Sequence, residues 1–560
     1  MAWGGMVGAL KYFLAEFFAR KPHPSFLVTA RDLALGLIAA AAFARLGYLF
    51  VVPLELVGDE SYYWDWGRQL AWGYFSKPPL IAWLMALGDL LGGGTAAGVR
   101  ALAVIFGTVS LLAVFTLARL LYDARVGLVA VVTLLVTPAN AASNLLLTID
   151  APLLACWTIG LAAAWRWLRP IDRAGKPYDP FPERRRDETP PLIPPHRWAM
   201  LVLLAVLGTG LLAKQMMMVF PVATLLWLAV DPTRRGWLKR PGLYVVLLLP
   251  FLAWLPPLWW NAQNDWITFQ HTATHFGGGG VSVGRQVARF FEFLGSQAGI
   301  FTPVTWLLLV FLLGVSVAKW RQLGSAERFL LSYALPGLLV VLVMALRQRI
   351  NPNWPAVFYP TAFVLLAAGV MHQISGLRPR KWLRPAWAGG VVLGLLLSVA
   401  TYTLPWWSQA LPAHADPTTR LRGWADLARE TAQAELAVRD PEDRRGFFLV
   451  AGGHRYHTSA IAFYHPDQPT VYRWEEPGRV RSQYEVWGLP PALSSTDALI
   501  IWPAQAGPLP DALRAVFERI EPGPERPPEV DVRYARPVDF YVGRGWRGLP
   551  EPSALLSEGP

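Results

Sequence analysis

Long runs of apolar residues restrict this chain to one broad class of fold. Of its 560 residues, 54% are hydrophobic and only 16% are charged, whereas a soluble domain carries about 25% charged residues. Its one cysteine, Cys156, lies in an apolar run, which excludes an intrachain disulfide and a cysteine-based metal cluster. The composition therefore excludes a cytosolic enzyme, a disordered protein and a disulfide-stapled secreted domain, and it predicts a polytopic α-helical membrane protein.

The apolar runs predict about 11 transmembrane helices, since a spanning helix needs about 20 apolar residues. We expect them near 31–53, 101–121, 126–140, 151–168, 198–213, 216–230, 241–258, 299–318, 329–346, 357–374 and 386–407. The apolar stretch 79–91 is short for a crossing, and we interpret it as a helix on the outer surface. Residues 1–30 predict a cytoplasmic or interfacial amphipathic segment.

Positive charge is concentrated in the loops on one side of these predicted spans. With a cytoplasmic N-terminus, the inside loops carry 19 Lys and Arg in 63 residues, and the outside loops carry 8 in 109. Such an excess is typical of cytoplasmic loops. The net charge of +12 therefore indicates membrane orientation and no nucleic-acid partner, and the odd span count places the C-terminal region outside.

The last 150 or so residues have a different sequence pattern from the apolar part of the chain. The segments GFFLVAGG (446–453), ALIIW (498–502) and FYVGR (540–544) predict strands between Pro and Gly turns, and 421–436 has helical periodicity. We therefore predict three parts: the N-terminal segment 1–30, a transmembrane catalytic domain 31–407, and a small α/β domain 408–560.

Three acidic residues follow or begin spans on the predicted outer side. Asp59 and Glu60 are adjacent in the first outer loop, and Asp150 stands at the mouth of a span. Neighbours on a helix point about 100° apart, so Asp59 and Glu60 would have different roles. A carboxylate here could act as a general base. The alternatives are an acidic cap at a helix end for the pair and an N-cap for Asp150.

Cations gather on the same predicted side: Lys77, Lys214, Arg347 and Arg349. Lys214 lies between two spans, where an unpaired ammonium would be costly. Together these side chains would suit an anionic substrate such as a phosphate. The alternative for Arg347 and Arg349 is snorkelling at a helix end.

The loop 259–298 holds His271 and His275, whose spacing could place both on one helical face to hold a metal. Two histidines without a third ligand are weak evidence, and structural histidines are the alternative. Four glycines, 277–280, predict a hinge that could serve a lid.

These segments resemble known glycosyltransferases. The run GDESYYWDWGRQLAWGYFSKPPLIAWL (58–84) resembles the first outer loop of the GT-C superfamily, in the bacterial branch similar to protein O-mannosyltransferases and lipid A aminoarabinose transferases (glycosyltransferase families 39 and 83). Further matches are TIDAPLLACWT (148–158), WNAQNDWITFQ (260–270), NPNWPA (351–356) and RSQYEVW (481–487). The resemblance covers most of the chain.

The resemblance implies a GT-C fold and a transferase of the bacterial cytoplasmic (inner) membrane whose active site and C-terminal domain face the periplasm. It would move a sugar from a polyprenyl-phosphate donor to an envelope lipid, glycan or protein acceptor, among membrane lipids. It implies that Asp59 is the catalytic aspartate, Glu60 its acidic neighbour, Asp150 the second-loop aspartate, and Lys77 a ligand of the lipid phosphate. The other candidate substrate-binding residues are Tyr62, Tyr74, Lys214, Asn261, His271, His275, Arg347, Arg349 and Asn353.

Two points stay open at this level. Ser76 stands where the aminoarabinose transferases usually carry a glutamate linked to metal binding, so a zinc site is doubtful and a divalent metal is no more than an alternative. A protein O-glycosyltransferase and a flippase for a lipid-linked sugar are the competing functions. Inversion at the anomeric carbon is our hypothesis, because one carboxylate alone is obviously placed to act.

Overall fold

A computed structural model describes residues 24–172, 195–274, 282–439, 446–491, 496–525 and 533–549 of the chain. The helices are α1 Pro24–Leu49, α2 Gly58–Gly67, α3 Leu80–Gly92, α4 Ala96–Leu121, α5 Ala124–Leu135, α6 Pro138–Ser143, α7 Asp150–Trp167, α8 Pro195–Ala213, α9 Val219–Val230, α10 Pro241–Leu248, α11 Leu255–Gln263, α12 Ile267–Thr274, α13 Val283–Phe301, α14 Pro303–Ala318, α15 Ser325–Arg347, α16 Tyr359–Val370, α17 Leu383–Trp407, α18 Trp424–Val438, α19 Arg455–Tyr464, α20 Gln483–Trp487 and α21 Asp511–Ala515. The strands are β1 Phe447–Ala451, β2 Val471–Arg473, β3 Asp497–Pro503, β4 Phe517–Pro522 and β5 Val538–Trp546.

The chain forms two compact units. The helical unit consists of Met1–Phe50, Arg100–Pro256 and Thr274–Tyr402, and the mixed unit consists of Val51–Val99, Pro257–Ala273 and Thr403–Pro560. The division predicted from the sequence had boundaries after residues 30 and 407, and it placed the whole stretch 31–407 in the transmembrane domain. The contacts differ from this division, because two inner stretches of the chain pack with the C-terminal one.

Hydrogen bonds explain why these distant stretches form one unit. The Glu55 carboxylate accepts the backbone N–H of Trp424 at 2.6 Å, and the Gln483 side chain accepts that of Phe75 at 2.7 Å. The Thr268 hydroxyl donates to the backbone carbonyl of Tyr74 at 2.8 Å. Each bond gives a partner to a backbone N–H or C=O group, which would otherwise need a water molecule to satisfy it.

Six helices of the described residues are long and apolar enough to span a membrane: Val28–Leu49, Ala96–Leu121, His196–Ala213, Pro241–Gln263, Ser325–Arg347 and Leu383–Ala410. A seventh span arises if α13 and α14 count as one, although they meet at a 110° bend. That bend lies at Thr302, which has a φ of 68° and is followed by Pro303 at the start of α14. The 11 predicted spans are therefore not confirmed, because the other four segments fall on α5, α7, α9 and α16, which are not among the helices both long and apolar enough to span.

The mixed unit is built around a five-stranded sheet of order β2-β1-β3-β5-β4. β1 pairs in parallel with β2 and β3, whereas β5 is antiparallel to β3 and β4. Every residue of β3 is buried, as expected for a strand covered on both faces. The three predicted strands correspond to β1, β3 and β5, and the predicted helix to α18; β2 and β4 were not predicted.

Candidate active site

The helix α2 carries the acidic pair and begins at a side-chain cap. The Glu60 carboxylate accepts the backbone N–H of Val57 at 3.0 Å, and the residue is fully buried. An acidic side chain at this position satisfies an N–H group that the first turn leaves unpaired. The structure therefore gives Glu60 a role in fixing the start of α2, as the cap interpretation of the acidic pair had suggested.

Asp59 differs from its neighbour, since 42% of its side chain is exposed. Its Oδ1 accepts a hydrogen bond from the Tyr456 hydroxyl at 2.8 Å and lies 3.6 Å from a guanidinium nitrogen of Arg455. Both partners lie in the first turn of α19, which the His454 side chain caps by accepting the N–H of Tyr456. We call Asp59, Arg455 and Tyr456 the Asp59 cluster.

The Asp59 cluster pairs an accessible carboxylate with a fixed cation and a neutral donor. Burial and the neighbouring Asp59 carboxylate raise the pKa of Tyr456 to about 12, so its hydroxyl stays protonated and can donate. The Arg455 guanidinium also stacks on the ring of Tyr62, at 5.0 Å from its centroid. These contacts hold the carboxylate in one orientation, which a general base requires.

The sequence prediction missed Arg455 and Tyr456. They follow β1 directly, in the run Gly-Gly-His-Arg-Tyr (452–456). Glycines between a parallel strand and a helix often mark a ligand site at the carboxyl edge of a sheet. That pattern was the available signal.

A second carboxylate of α2, Asp65, is buried. It accepts the Tyr484 hydroxyl at 2.7 Å and lies 3.3 Å from a nitrogen of Arg68. Burial raises its pKa to about 6 despite these two partners. The sequence analysis did not single out Asp65.

Several predicted substrate-binding residues of the mixed unit are structural in their contacts. The Tyr62 hydroxyl accepts the backbone N–H of Gln483. The fully buried Tyr74 stacks on Trp66 with ring centroids 4.6 Å apart. The Asn261 amide bridges the carbonyl of Pro257 and the N–H of Thr268. The contacts of these three side chains are therefore with other residues of the mixed unit.

The remaining predicted residues of this unit are placed differently. Lys77 is half-buried, and the His271 ring lies 4.7 Å from that of Phe75. His275 and the predicted glycine hinge lie outside the described residues. Among the described residues, no group of three or more His, Cys, Asp or Glu side chains could hold a metal ion.

The helical unit brings three predicted residues together. The Lys214 ammonium donates to one carboxylate oxygen of Asp150 at 2.7 Å, and the Asn353 amide donates to the other at 2.6 Å. Asp150 is 7% exposed, and it begins α7 without capping it through its side chain. The three residues, here called the Asp150 cluster, form a charge-neutral ion pair with an added donor.

An apolar cavity of about 330 Å³ adjoins this cluster within the helical unit. Asp150 and Asn353 line it together with apolar side chains of α4, α7 and α16, among them Leu111, Leu154 and Phe363. A cavity of this size and character can hold part of a hydrocarbon chain.

The two predicted arginines of the helical unit do not make the contacts of the Asp150 cluster. Arg347 is exposed, and its carbonyl accepts a hydrogen bond from Arg289 at 3.2 Å. Arg349 is 77% exposed and pairs with Glu292 at 2.6 Å. Their placement fits the snorkelling interpretation.

Comparison with known proteins finds a family model that matches part of the chain, a relative and two structures of similar fold. Residues 76–175 and 193–260 match the family model described as dolichyl-phosphate-mannose-protein mannosyltransferase. A lipid A galacturonosyltransferase of Rhizobium johnstonii, RgtD, is 26% identical over 385 residues, which are 67% of this chain and 72% of the relative.

Two crystal structures of ArnT from Cupriavidus metallidurans have a similar fold. The structure bound to undecaprenyl phosphate has a TM-score of 0.54 at 15% identity, and the apo structure has 0.55 at 16%. Each likeness covers 92% of this chain and 97% of the other. The apolar helices and these relatives support a multi-pass membrane protein. The family match, the relative and the shared fold confirm the resemblance predicted from the sequence, and they support a membrane glycosyltransferase of the GT-C type.

Proposed function

We propose that this chain transfers a sugar from a polyprenyl-phosphate donor to a lipid acceptor of the lipid A type, at the periplasmic face of the bacterial inner membrane. The observation that carries the proposal is the Asp59 cluster, in which a partly exposed carboxylate is held by Tyr456 at 2.8 Å and by Arg455 at 3.6 Å. The acceptor class follows the relative that acts on lipid A.

In the proposed reaction, an acceptor hydroxyl attacks the anomeric carbon of the donor sugar. The bond from that carbon to the phosphate oxygen breaks as the new glycosidic bond forms, and polyprenyl phosphate leaves. Asp59 takes the proton of the acceptor hydroxyl, and one base acting on one attacking group predicts inversion. Lys77, which the resemblance assigns to the lipid phosphate, stabilises the charge on the leaving phosphate. A well-placed donor of this kind contributes about 3 kcal/mol to transition-state stabilisation.

The lipid part of the donor is assigned to the helical unit. Asp150 and Asn353 line its apolar cavity of about 330 Å³, so the cavity offers an apolar space for a hydrocarbon chain next to polar side chains. The solved ArnT structure of the same fold was bound to undecaprenyl phosphate. The periplasmic orientation is supported by the 19 Lys and Arg residues in the predicted inside loops, against 8 outside.

A transfer assay tests this function. Purified protein in nanodiscs receives a panel of radiolabelled polyprenyl-phosphate sugars with a lipid A extract as acceptor, and the product is separated from the donor lipid. Asp59→Asn should lower the rate about 100-fold or more, the contribution of a general base. Asp467→Asn is the matched control, since Asp467 is exposed in the same unit and should leave the rate unchanged.

Protein as the acceptor is the second candidate, because the matching family model is described as a protein mannosyltransferase. Label that enters an envelope protein fraction and not lipid A would favour it. Carrier-lipid movement across sealed vesicles that survives Asp59→Asn, without transfer, would instead indicate a flippase.

A further inference from the structure

The mixed unit contains a cavity of about 620 Å³ that the proposed chemistry leaves without a role. It lies at the carboxyl ends of the three parallel strands. Gly453 and His454 follow β1, Trp474 and Glu475 follow β2, and Trp502 stands near the end of β3. Its volume lies in the range of about 300–1,000 Å³ that small-molecule sites occupy.

The topology of the sheet makes this edge a favoured place for a ligand. β1 lies between β2 and β3 and is parallel to both. The connection that leaves β1 therefore runs to one side of the sheet, and the connection that leaves β3 runs to the other. In open α/β sheets, ligands bind in the crevice where the strand order reverses in this way.

The charge of the lining favours an anion. Four arginines line the cavity, Arg455, Arg473, Arg479 and Arg481, against two carboxylates, Glu475 and Glu476. The pKa of the lining residue His454 is lowered to about 4, mainly by burial and further by Arg455, His457 and Arg473, while Asp59 opposes the shift. Arginine is well suited to bind phosphate or carboxylate through paired hydrogen bonds.

Arg455 and Arg473 contact acidic side chains within the unit, whereas Arg479 and Arg481 are exposed. Arg473 is 9% exposed and donates to Glu485, Glu475 and the carbonyl of Gly453. The exposed side chains of Arg479 and Arg481, in contrast, pair at the surface with Glu476 and Glu475. An incoming anion could recruit these two arginines without breaking a buried contact.

The cavity also shares a wall with the Asp59 cluster. Arg455 lines the cavity and contacts Asp59 at 3.6 Å, and its Nε is a buried donor without a partner among the described residues. Trp474 and Trp502, which are largely buried in the core of the unit, also border the cavity and make part of its wall apolar.

We propose that this cavity binds the anionic saccharide headgroup of the acceptor, so that the parallel edge of the sheet holds the acceptor beside Asp59. The inference rests on the proposed function, because it names the place where the acceptor of that reaction is held. It assigns a binding role to Arg479 and Arg481, which the Asp59 cluster does not include.

A binding measurement tests the cavity separately from catalysis. Titration calorimetry of the full chain in nanodiscs would use a phosphorylated glucosamine disaccharide without acyl chains, and the same disaccharide without phosphate. The phosphorylated form should bind at least about tenfold more tightly than the form without phosphate. The double variant Arg479→Gln and Arg481→Gln should bind the phosphorylated form about tenfold more weakly than the wild type does, as expected for the loss of charge-assisted hydrogen bonds. Arg519→Gln, an exposed arginine of β4 outside the cavity lining, is the matched control and should bind like the wild type.

Each outcome decides the inference. Equal affinity for the two disaccharides, equal affinity of the wild type and the double variant, or no binding to the wild type would overturn it. Competition by polyprenyl phosphate would also overturn it, since the cavity would then hold the donor. A wild type that fails to bind the disaccharide but still transfers sugar to lipid A contradicts the cavity assignment alone, whereas binding without any transfer contradicts the proposed function.

Discussion

The hydroxyl of Tyr456 donates a 2.8 Å hydrogen bond to the carboxylate of Asp59, a residue 397 positions earlier in the chain. This contact joins the first turn of α2 to the first turn of α19. It fixes the orientation of the proposed base, and its loss should be measurable without loss of the fold.

Tyr456→Phe removes the hydroxyl and keeps the ring on which Arg455 stacks. A hydrogen bond to a charged group contributes about 1.5–3 kcal/mol, so the transfer rate should fall by at least about tenfold. The apparent melting temperature should stay close to that of the wild type. An unchanged rate would show that Asp59 does not depend on this donor.

Gly58→Ala tests the same contact from the other side. A Cβ at Gly58 would overlap the ring atoms of Tyr456, so the ring must move away from Asp59. We expect a loss of transfer at least as large as that of Tyr456→Phe. Gly47→Ala, where a Cβ meets nothing within 4 Å, is the matched control and should retain the wild-type rate.

Asp65 predicts a dependence of stability on pH. Burial raises its pKa from 3.8 to about 6, so between these values the folded chain binds the proton that the unfolded chain releases. Its contribution to stability is therefore complete below about pH 4 and is lost as the pH rises through 6, by about 3 kcal/mol. Melting temperatures measured from pH 4 to 7 should fall more steeply for the wild type than for Asp65→Asn. Parallel curves would contradict the assignment.

The Asp150 cluster predicts non-additive effects on stability. Removing either charge by Asp150→Ala or Lys214→Met leaves the other uncompensated, at a cost of about 3 kcal/mol. The double variant should cost clearly less than the sum of the two single ones. Arg349→Met, at an exposed pair, is the control and should cost about 0.5 kcal/mol or less. Additive losses in denaturation experiments would mean that the pair does not interact.

The sequence predicted the parts of this molecule whose signals are local. The apolar runs fell on helical segments, although 126–140 and 299–318 are each divided between two helices, and the strands β1, β3 and β5 were recognised from their apolar residues. β2 was not recognised because it has three residues, and β4 because its sequence, Phe-Glu-Arg-Ile-Glu-Pro, contains neither an apolar run nor a regular alternation. A pattern read along the chain does not show such pairings.

The candidate site was predicted only in part, for a related reason. Asp59, Asp150 and Lys214 stood out as charged residues next to apolar runs and Asn353 through the resemblance, and both Lys214 and Asn353 contact Asp150. Arg455 and Tyr456 belong to a segment whose own surroundings resemble an ordinary strand and helix. Their pairing with Asp59, 397 positions before Tyr456, reveals their significance, whereas the preference for Asp59 over Glu60 came from the resemblance to known glycosyltransferases.

Three separate stretches of the chain form the mixed unit, and this restricts how many times the chain can cross the membrane between them. With that unit on one face of the membrane, as proposed, the chain leaves this face after Val99 and must return to it by Pro257, so it crosses an even number of times in between. The described part of this stretch holds three helices of spanning length, Ala96–Leu121, His196–Ala213 and Pro241–Gln263. If all three of these helices span the bilayer, an odd number of crossings cannot bring the chain back, and a further crossing is then needed, for which α5, α7 and α9 are the candidates in the described part.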